Sequence, residues 1–174
     1  MKRMIYFIAA MALASPVTIT VVPTVQAAAV HAPKFVQMAG MAGMFEVESS
    51  RIALQKSQSQ QVKDFAQQMI TDHTKANEQL KSVVQSAGVK AMVLQALDSK
   101  HQKMIDQLNA ASGTEFDTKY IKMQLEGHKD AVSLFSKYAK TGDNNDLKSF
   151  ASETLPTLQH HLQMVQSLST GSQG

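Results

Sequence analysis

The sequence predicts an all-α protein: a bundle of four long helices, with a short extra helix in the middle crossover. Three observations predict it. Four long stretches carry apolar residues every three or four positions, the spacing of one helix face. No stretch shows the period-two alternation of a half-buried strand. Polar or glycine-bearing breaks fall between the periodic stretches, at Ser57-Gln58-Ser59-Gln60, Gly88, Gly113 and Thr141-Gly142-Asp143-Asn144-Asn145.

Residues 1–27 have the form of a secretory signal peptide. Lys2 and Arg3 form a basic start, and an apolar run over 4–13 follows. That run is short of the roughly 20 residues a membrane span needs. Val25-Gln26-Ala27 offers small residues for cleavage before Ala28, with alternatives one or two residues later. A retained anchor is the other reading, if 16–22 extends the apolar run. Residues 28–34 are a linker, the helical domain spans 35–168, and 169–174 form a frayed tail.

The first helix is expected over about 34–57. Phe35, Met38, Ala42, Phe45, Ser49 and Ile52 form its stripe, with Ala39, Glu46 and Ala53 beside it. Gly40 and Gly43 weaken it by about 1 kcal/mol each relative to Ala, which close approach of a neighbouring helix would offset. The second helix follows Ser57 or Ser59 as N-cap and ends at Gly88. Its stripe is Val62, Phe65, Met69, His73, Ala76, Leu80, Val83 and Ala87. Residues 89–97 read as an irregular connector. Asp98 caps a short helix over about 99–111, with Met104, Ile105 and Leu108 inward, and Gly113 stops it.

Thr114 is the expected cap of the next helix, which runs to about residue 140. Its stripe is Phe116, Tyr120, Gln124, His128, Ala131, Phe135 and Tyr138. The last helix covers about 146–168, with Leu147, Phe150, Thr154, Leu158, His161, Val165 and Leu168 on its stripe. Pro156 lies inside it and should kink it.

Composition bounds the function. The chain has 174 residues and no cysteine, which excludes disulfides, thiolate metal sites and cysteine nucleophiles. The formal charge of +3 falls with the leader, whose loss leaves 15 basic against 14 acidic side chains. The charges are interspersed and form no basic patch, so nucleic acid is not an expected partner. No nucleophile elbow, phosphate loop or dinucleotide fingerprint occurs, and no residue pattern names a reaction.

Each long helix places one metal-competent residue on or beside its stripe: Glu46, His73, His128 and His161. Glu46 lies 13 residues before Ser59 and His73 lies 14 after it, which puts them near one level of an antiparallel hairpin. His128 lies 14 before Gly142 and His161 lies 19 after it, an offset of about 7 Å. Four such groups at mid-height would suit a transition metal such as iron, zinc, manganese or copper. Glu48, Asp72 and His160 are the supporting or alternative ligands. The competing reading is a buried polar network that fixes helix register.

Phe45-Glu46-Val47-Glu48 with Ile52-Ala53-Leu54, Val62-Lys63-Asp64-Phe65-Ala66 and Met69-Ile70-Thr71-Asp72-His73 resemble the motifs of a known family. So do Phe116-Asp117-Thr118-Lys119-Tyr120, His128, Phe150-Ala151 and Leu155-Pro156-Thr157-Leu158 leading to His161-Leu162. From residue 35 to about 168 the chain resembles the DUF 4142 family, a bacterial domain of unknown function in the ferritin-like superfamily. The resemblance implies a ferritin-like four-helix bundle in exported proteins often labelled outer-membrane proteins, and no established activity. Di-iron ferritin-like sites use Glu-x-x-His on two helices. Here Ile70, Leu125 and Leu158 stand three residues before His73, His128 and His161, so a single-metal or histidine-rich site is the version that survives.

Met38, Met41 and Met44 lie at a spacing that could hold Cu(I), though methionine is more often an adaptable core filler. His160 and His161 point about 100° apart, so one should face inward and one outward. Two functions are expected from these residues. The first is a periplasmic metal-binding protein serving metal storage or redox protection. The second is a non-enzymatic envelope or stress protein whose histidines serve packing. Outer-membrane association, an envelope protein partner or a homo-oligomer fits either. No stable transmembrane segment is expected after cleavage.

Overall fold

Two antiparallel helical hairpins build the bundle. α1 (Ala32–Lys56) and α2 (Gln60–Ser86) form one, and α4 (Gly113–Thr141) and α5 (Asn145–Gly171) form the other. α1 packs on α4 and α2 on α5, while α3 (Ser99–Ala110) packs on α1 and α4. The structure, a computed structural model, describes residues 30–91 and 95–171. The expected leader, residues 28–29 of the linker, 92–94 of the connector and the last three residues of the tail lie outside them.

The long crossover is a geometric necessity. α2 has 27 residues, about 40 Å of helix, and it ends at the level where α4 also ends. The chain must therefore descend the bundle before α4 can start, and α3 lies on that descent. Lys56 Nζ, at the end of α1, donates to the Leu108 carbonyl in the last turn of α3 at 3.3 Å, where a cation meets the negative helix end.

Most element ends follow the expected caps. Ser59 Oγ accepts from the Val62 N–H at 3.4 Å, and Asp98 Oδ1 accepts from the His101 N–H at 2.9 Å. Gly88 follows the end of α2 with φ +61°, a left-handed conformation that suits glycine. α4 departs from expectation. Ser112 is its N-cap, with Gly113 (φ +57°) already inside, so Thr114 is not the cap and Gly113 does not stop α3. Instead α3 ends at Ala110, and the N–H of its C-cap Ala111 bonds the Leu108 carbonyl at 3.3 Å.

The first and last helices extend beyond residues 35 and 168. α1 starts at Ala32, because Asp143 in the α4–α5 turn caps it from outside. Asp143 Oδ1 accepts from the Ala32 N–H at 2.8 Å and from the Tyr138 hydroxyl at 3.0 Å, and Oδ2 meets His31 Nδ1 at 2.9 Å. α5 continues through residues 169–171 of the expected frayed tail. It also continues through Pro156, where both Pro156 and Ser152 face solvent and water can satisfy the carbonyl that proline leaves without a partner.

The stripes hold with small shifts. Val84 rather than Val83 is the buried residue near the end of α2, and Met38 is 41% exposed. Gly43 permits the close approach expected of it, since a Cβ there would overlap the Asn77 amide of α2. The apolar core falls into two clusters. One surrounds Phe65, Met69, Phe116 and Tyr120. The other surrounds Phe35, Leu80, Phe150 and Leu158, with Tyr138 stacked on Phe35 at 3.9 Å. Between the clusters lies a layer of buried polar side chains: Glu46, His73, Gln124, His128 and His161.

Candidate metal centre

His73, His128 and His161 project from α2, α4 and α5 into one space. They are 6%, 1% and 1% exposed. Their ring centroids stand 5.3–5.6 Å apart, and one ring nitrogen from each lies within 4.8 Å of the other two. The offset expected between His128 and His161 shrinks because α4 ends at Thr141 and α5 starts only at Asn145. Counted from those ends, the two differ by about three residues, roughly 4.5 Å, which imidazole side chains can span.

Hydrogen bonds fix how two of the rings are turned. His128 Nδ1 lies 2.8 Å from the Gln124 carbonyl oxygen. A carbonyl can only accept, so Nδ1 carries the proton and Nε2 carries the lone pair. His161 Nε2 lies 2.8 Å from Asp72 Oδ2, so Nε2 donates and Nδ1 carries the lone pair. His73 Nε2, His128 Nε2 and His161 Nδ1 are buried without a hydrogen-bond partner. Three orphaned imidazole nitrogens in one layer are unusual, because buried polar atoms are nearly always paired. They are the donors a metal ion would use.

The electrostatics keep these rings neutral. Burial, with the fields of His128 and His161, pushes His73 well below the usual imidazole range. Burial pushes His128 down to about 4 against the opposing bond to Gln124, and His161 adds to the fall. Burial also lowers His161, while Asp72 opposes it. At neutral pH each ring therefore keeps a lone pair.

Glu46, expected as a fourth ligand, stands apart from the three donor nitrogens. Its Oε1 is 3.9 Å from His128 Nδ1, the nitrogen already bonded to Gln124. Burial raises its carboxyl to about 8, and the Gln124 amide opposes the rise. Gly127 makes room for it: a Cβ there would stand 2.9 Å from Glu46 Oε1. A small cavity of about 20 Å³ touches Glu46, His73 and His128.

Of the supporting residues, the structure brings in one. Asp72 bonds His161 and is itself held by Gln68 Nε2 at 3.0 Å. Its side chain is 26% exposed, so it joins the centre to the surface. Glu48 is exposed 3.9 Å from Arg51, on a groove of about 650 Å³ over α1 and α2. His160 is exposed on the outer side of α5, as the 100° spacing requires. Met41 is buried and Met44 half-buried, and Met41 Sδ accepts the Asp98 N–H at 3.5 Å.

The sequence reading missed Gln124 as a site residue. Its carbonyl orients His128, and its Nε2 donates to Ser49 Oγ at 3.0 Å. The signal was an amide on the apolar stripe itself, one turn before a histidine, with glycine at the intervening position 127.

Several solved structures share this fold. CopM in its Cu(II)-bound form aligns over 83% of this chain and 99% of its own, at 17% identity and a TM-score of 0.69. The Ag-bound form of CopM aligns over 83% and 99%, at 19% identity and a TM-score of 0.68. A secreted DUF305 protein from Streptomyces coelicolor aligns over 80% and 91%, at 11% identity and a TM-score of 0.67. No curated protein matches the sequence. The family model described as a domain of unknown function, DUF4142, matches residues 20–168, and the chain belongs to that family.

Proposed function

We propose that this chain is an exported helical-bundle protein that holds one transition-metal ion between His73, His128 and His161, for metal storage or redox protection in the cell envelope. The observation that carries this reading is the set of three buried, neutral imidazole nitrogens without partners. A purely structural network would be expected to pair such atoms with one another or with the backbone. Here the pairing goes only as far as orienting His128 and His161. The copper- and silver-bound forms of CopM support the choice of a transition metal. The basic start and apolar run of the N-terminal segment support export. Among the described residues no helix is long and apolar enough to cross a membrane.

The test uses mature protein purified without chelators or an affinity tag. Elemental analysis is expected to find one metal ion per chain. Stripped protein should melt several degrees higher on adding one metal in excess; saturation at 100 times Kd is worth about 2.7 kcal/mol. The His73→Ala, His161→Ala variant should lose both results. Wild-type protein that takes up no iron, zinc, manganese or copper would leave a structural histidine network, and with it the reading of a non-enzymatic envelope protein.

A further inference from the structure

Three imidazoles fill three positions around an ion, and a tetrahedral ion takes a fourth ligand. His73, His128 and Glu46 together line a cavity of about 20 Å³. That volume holds one water, provided the water finds two to four polar partners. The cavity supplies them. His73 Nε2, His128 Nε2 and Glu46 Oε2 are all buried without a hydrogen-bond partner among the described residues.

The other walls offer little competition. Most are small or apolar, Ala42, Ala76 and Leu158 among them. Thr154 Oγ1 is committed to the Phe150 carbonyl at 2.8 Å. Asn77 is half-buried and also lines the outer groove over α1 and α2. Glu46 is 3% exposed and comes from α1, the one long helix that sends no histidine into the layer. Gly127 of α4 leaves the space that its carboxyl occupies.

Reach decides how Glu46 takes part. A direct carboxylate ligand lies about 2.0–2.2 Å from its ion. Glu46 Oε1 instead stands 3.9 Å from His128 Nδ1, the nitrogen bonded to the Gln124 carbonyl and not the donor. One water changes the span. An ion–oxygen bond followed by a hydrogen bond places the carboxyl oxygen about 4–5 Å from the ion. A carboxyl group accepts a hydrogen bond from water whether or not it is protonated, so the arrangement serves either form of Glu46. We propose that the fourth ligand of an ion held by His73, His128 and His161 is a single water lodged in this cavity, and that Glu46 is the positioning residue that holds it. This rests on the triad being a metal site, and it applies to any four-coordinate ion there.

Stripped wild-type protein is loaded with one equivalent of copper(II) in water enriched in oxygen-17, and pulsed electron paramagnetic resonance reads the neighbours of the ion. Imidazole nitrogen couplings and one strong oxygen-17 coupling are expected, both lost in His73→Ala, His161→Ala. Glu46→Leu should keep the nitrogen couplings, lose the oxygen-17 coupling and bind copper(II) about 10–100-fold more weakly. Glu46→Gln, whose amide oxygen still accepts from the water, should keep both couplings. Nitrogen couplings without oxygen-17 coupling in the wild type overturn the proposal and leave the triad a metal site. An oxygen-17 coupling that survives in Glu46→Leu also overturns it, because the water then has another holder. Failure to bind copper(II), or binding without imidazole nitrogen couplings, overturns the metal reading itself. The wild-type readout does not depend on any variant folding.

Discussion

Glu46 and the three histidines give the metal-free protein two opposing pH dependences. The sign follows from which state binds more protons. The Glu46 carboxyl is raised from 4.5 to about 8, so its contribution is full below 4.5 and is lost as pH rises through about 8. The histidines are lowered from 6.5, His128 to about 4, so theirs is full above 6.5 and is lost as pH falls. Stability should peak near pH 6.5 and fall on the alkaline side by at most about 1.4 kcal/mol per unit. Glu46→Gln is expected to flatten the limb between pH 6.5 and 8, measured by urea unfolding, and to leave the acid limb in place. At this scale the stripe positions made His73, His128 and His161 legible as inward-facing. The orientation of their rings was not, because it depends on a backbone carbonyl and on a carboxylate from another helix, which no spacing encodes.

The elements were legible where their caps are local. Ser59 and Asp98 cap their own helices, and Gly88 and Gly142 follow helix ends, all as their residue types suggest. The start of α1 was not legible, because its cap comes from Asp143, 111 residues away. That cap depends on the α4–α5 turn. A Cβ on Gly142 would stand 2.7 Å from the Tyr138 carbonyl oxygen and 2.6 Å from its ring. Tyr138 cannot yield, being 1% exposed, stacked on Phe35 and bonded to Asp143. Gly142→Ala should therefore destabilise the protein by about 1–3 kcal/mol. Hydrogen exchange should rise first in the opening turn of α1, which loses its outside cap when the turn shifts. Unchanged exchange there would mean that the Asp143 contacts do not hold α1.

Across the whole molecule, the bundle places a polar layer between two apolar clusters, where a continuous apolar core would be more stable. Four long helices, their pairing into hairpins and the middle crossover were all readable from periodicity and breaks, because those features rest on burial of one helix face. The division of the core was readable only in part. Glu46 looked level with the histidines by residue count, but its position depends on where α1 meets α4 and on the space left by Gly127. If the layer is kept for metal binding, filling it with hydrocarbon should improve the metal-free protein. His73→Leu removes a ring nitrogen that has no partner and is expected to leave metal-free stability equal or higher by up to ~2 kcal/mol, while abolishing the metal-dependent rise in melting temperature. A structural network would instead lose stability on that change.

The most direct measurement of the central claim is X-ray absorption at the edge of the bound ion, in protein loaded with one equivalent of copper(I) under anaerobic conditions. Three nitrogen neighbours at about 2.0 Å, with the outer scattering of imidazole rings, are predicted. Sulfur neighbours near 2.3 Å, or oxygen neighbours without imidazole scattering, would contradict the assignment of the ion to His73, His128 and His161.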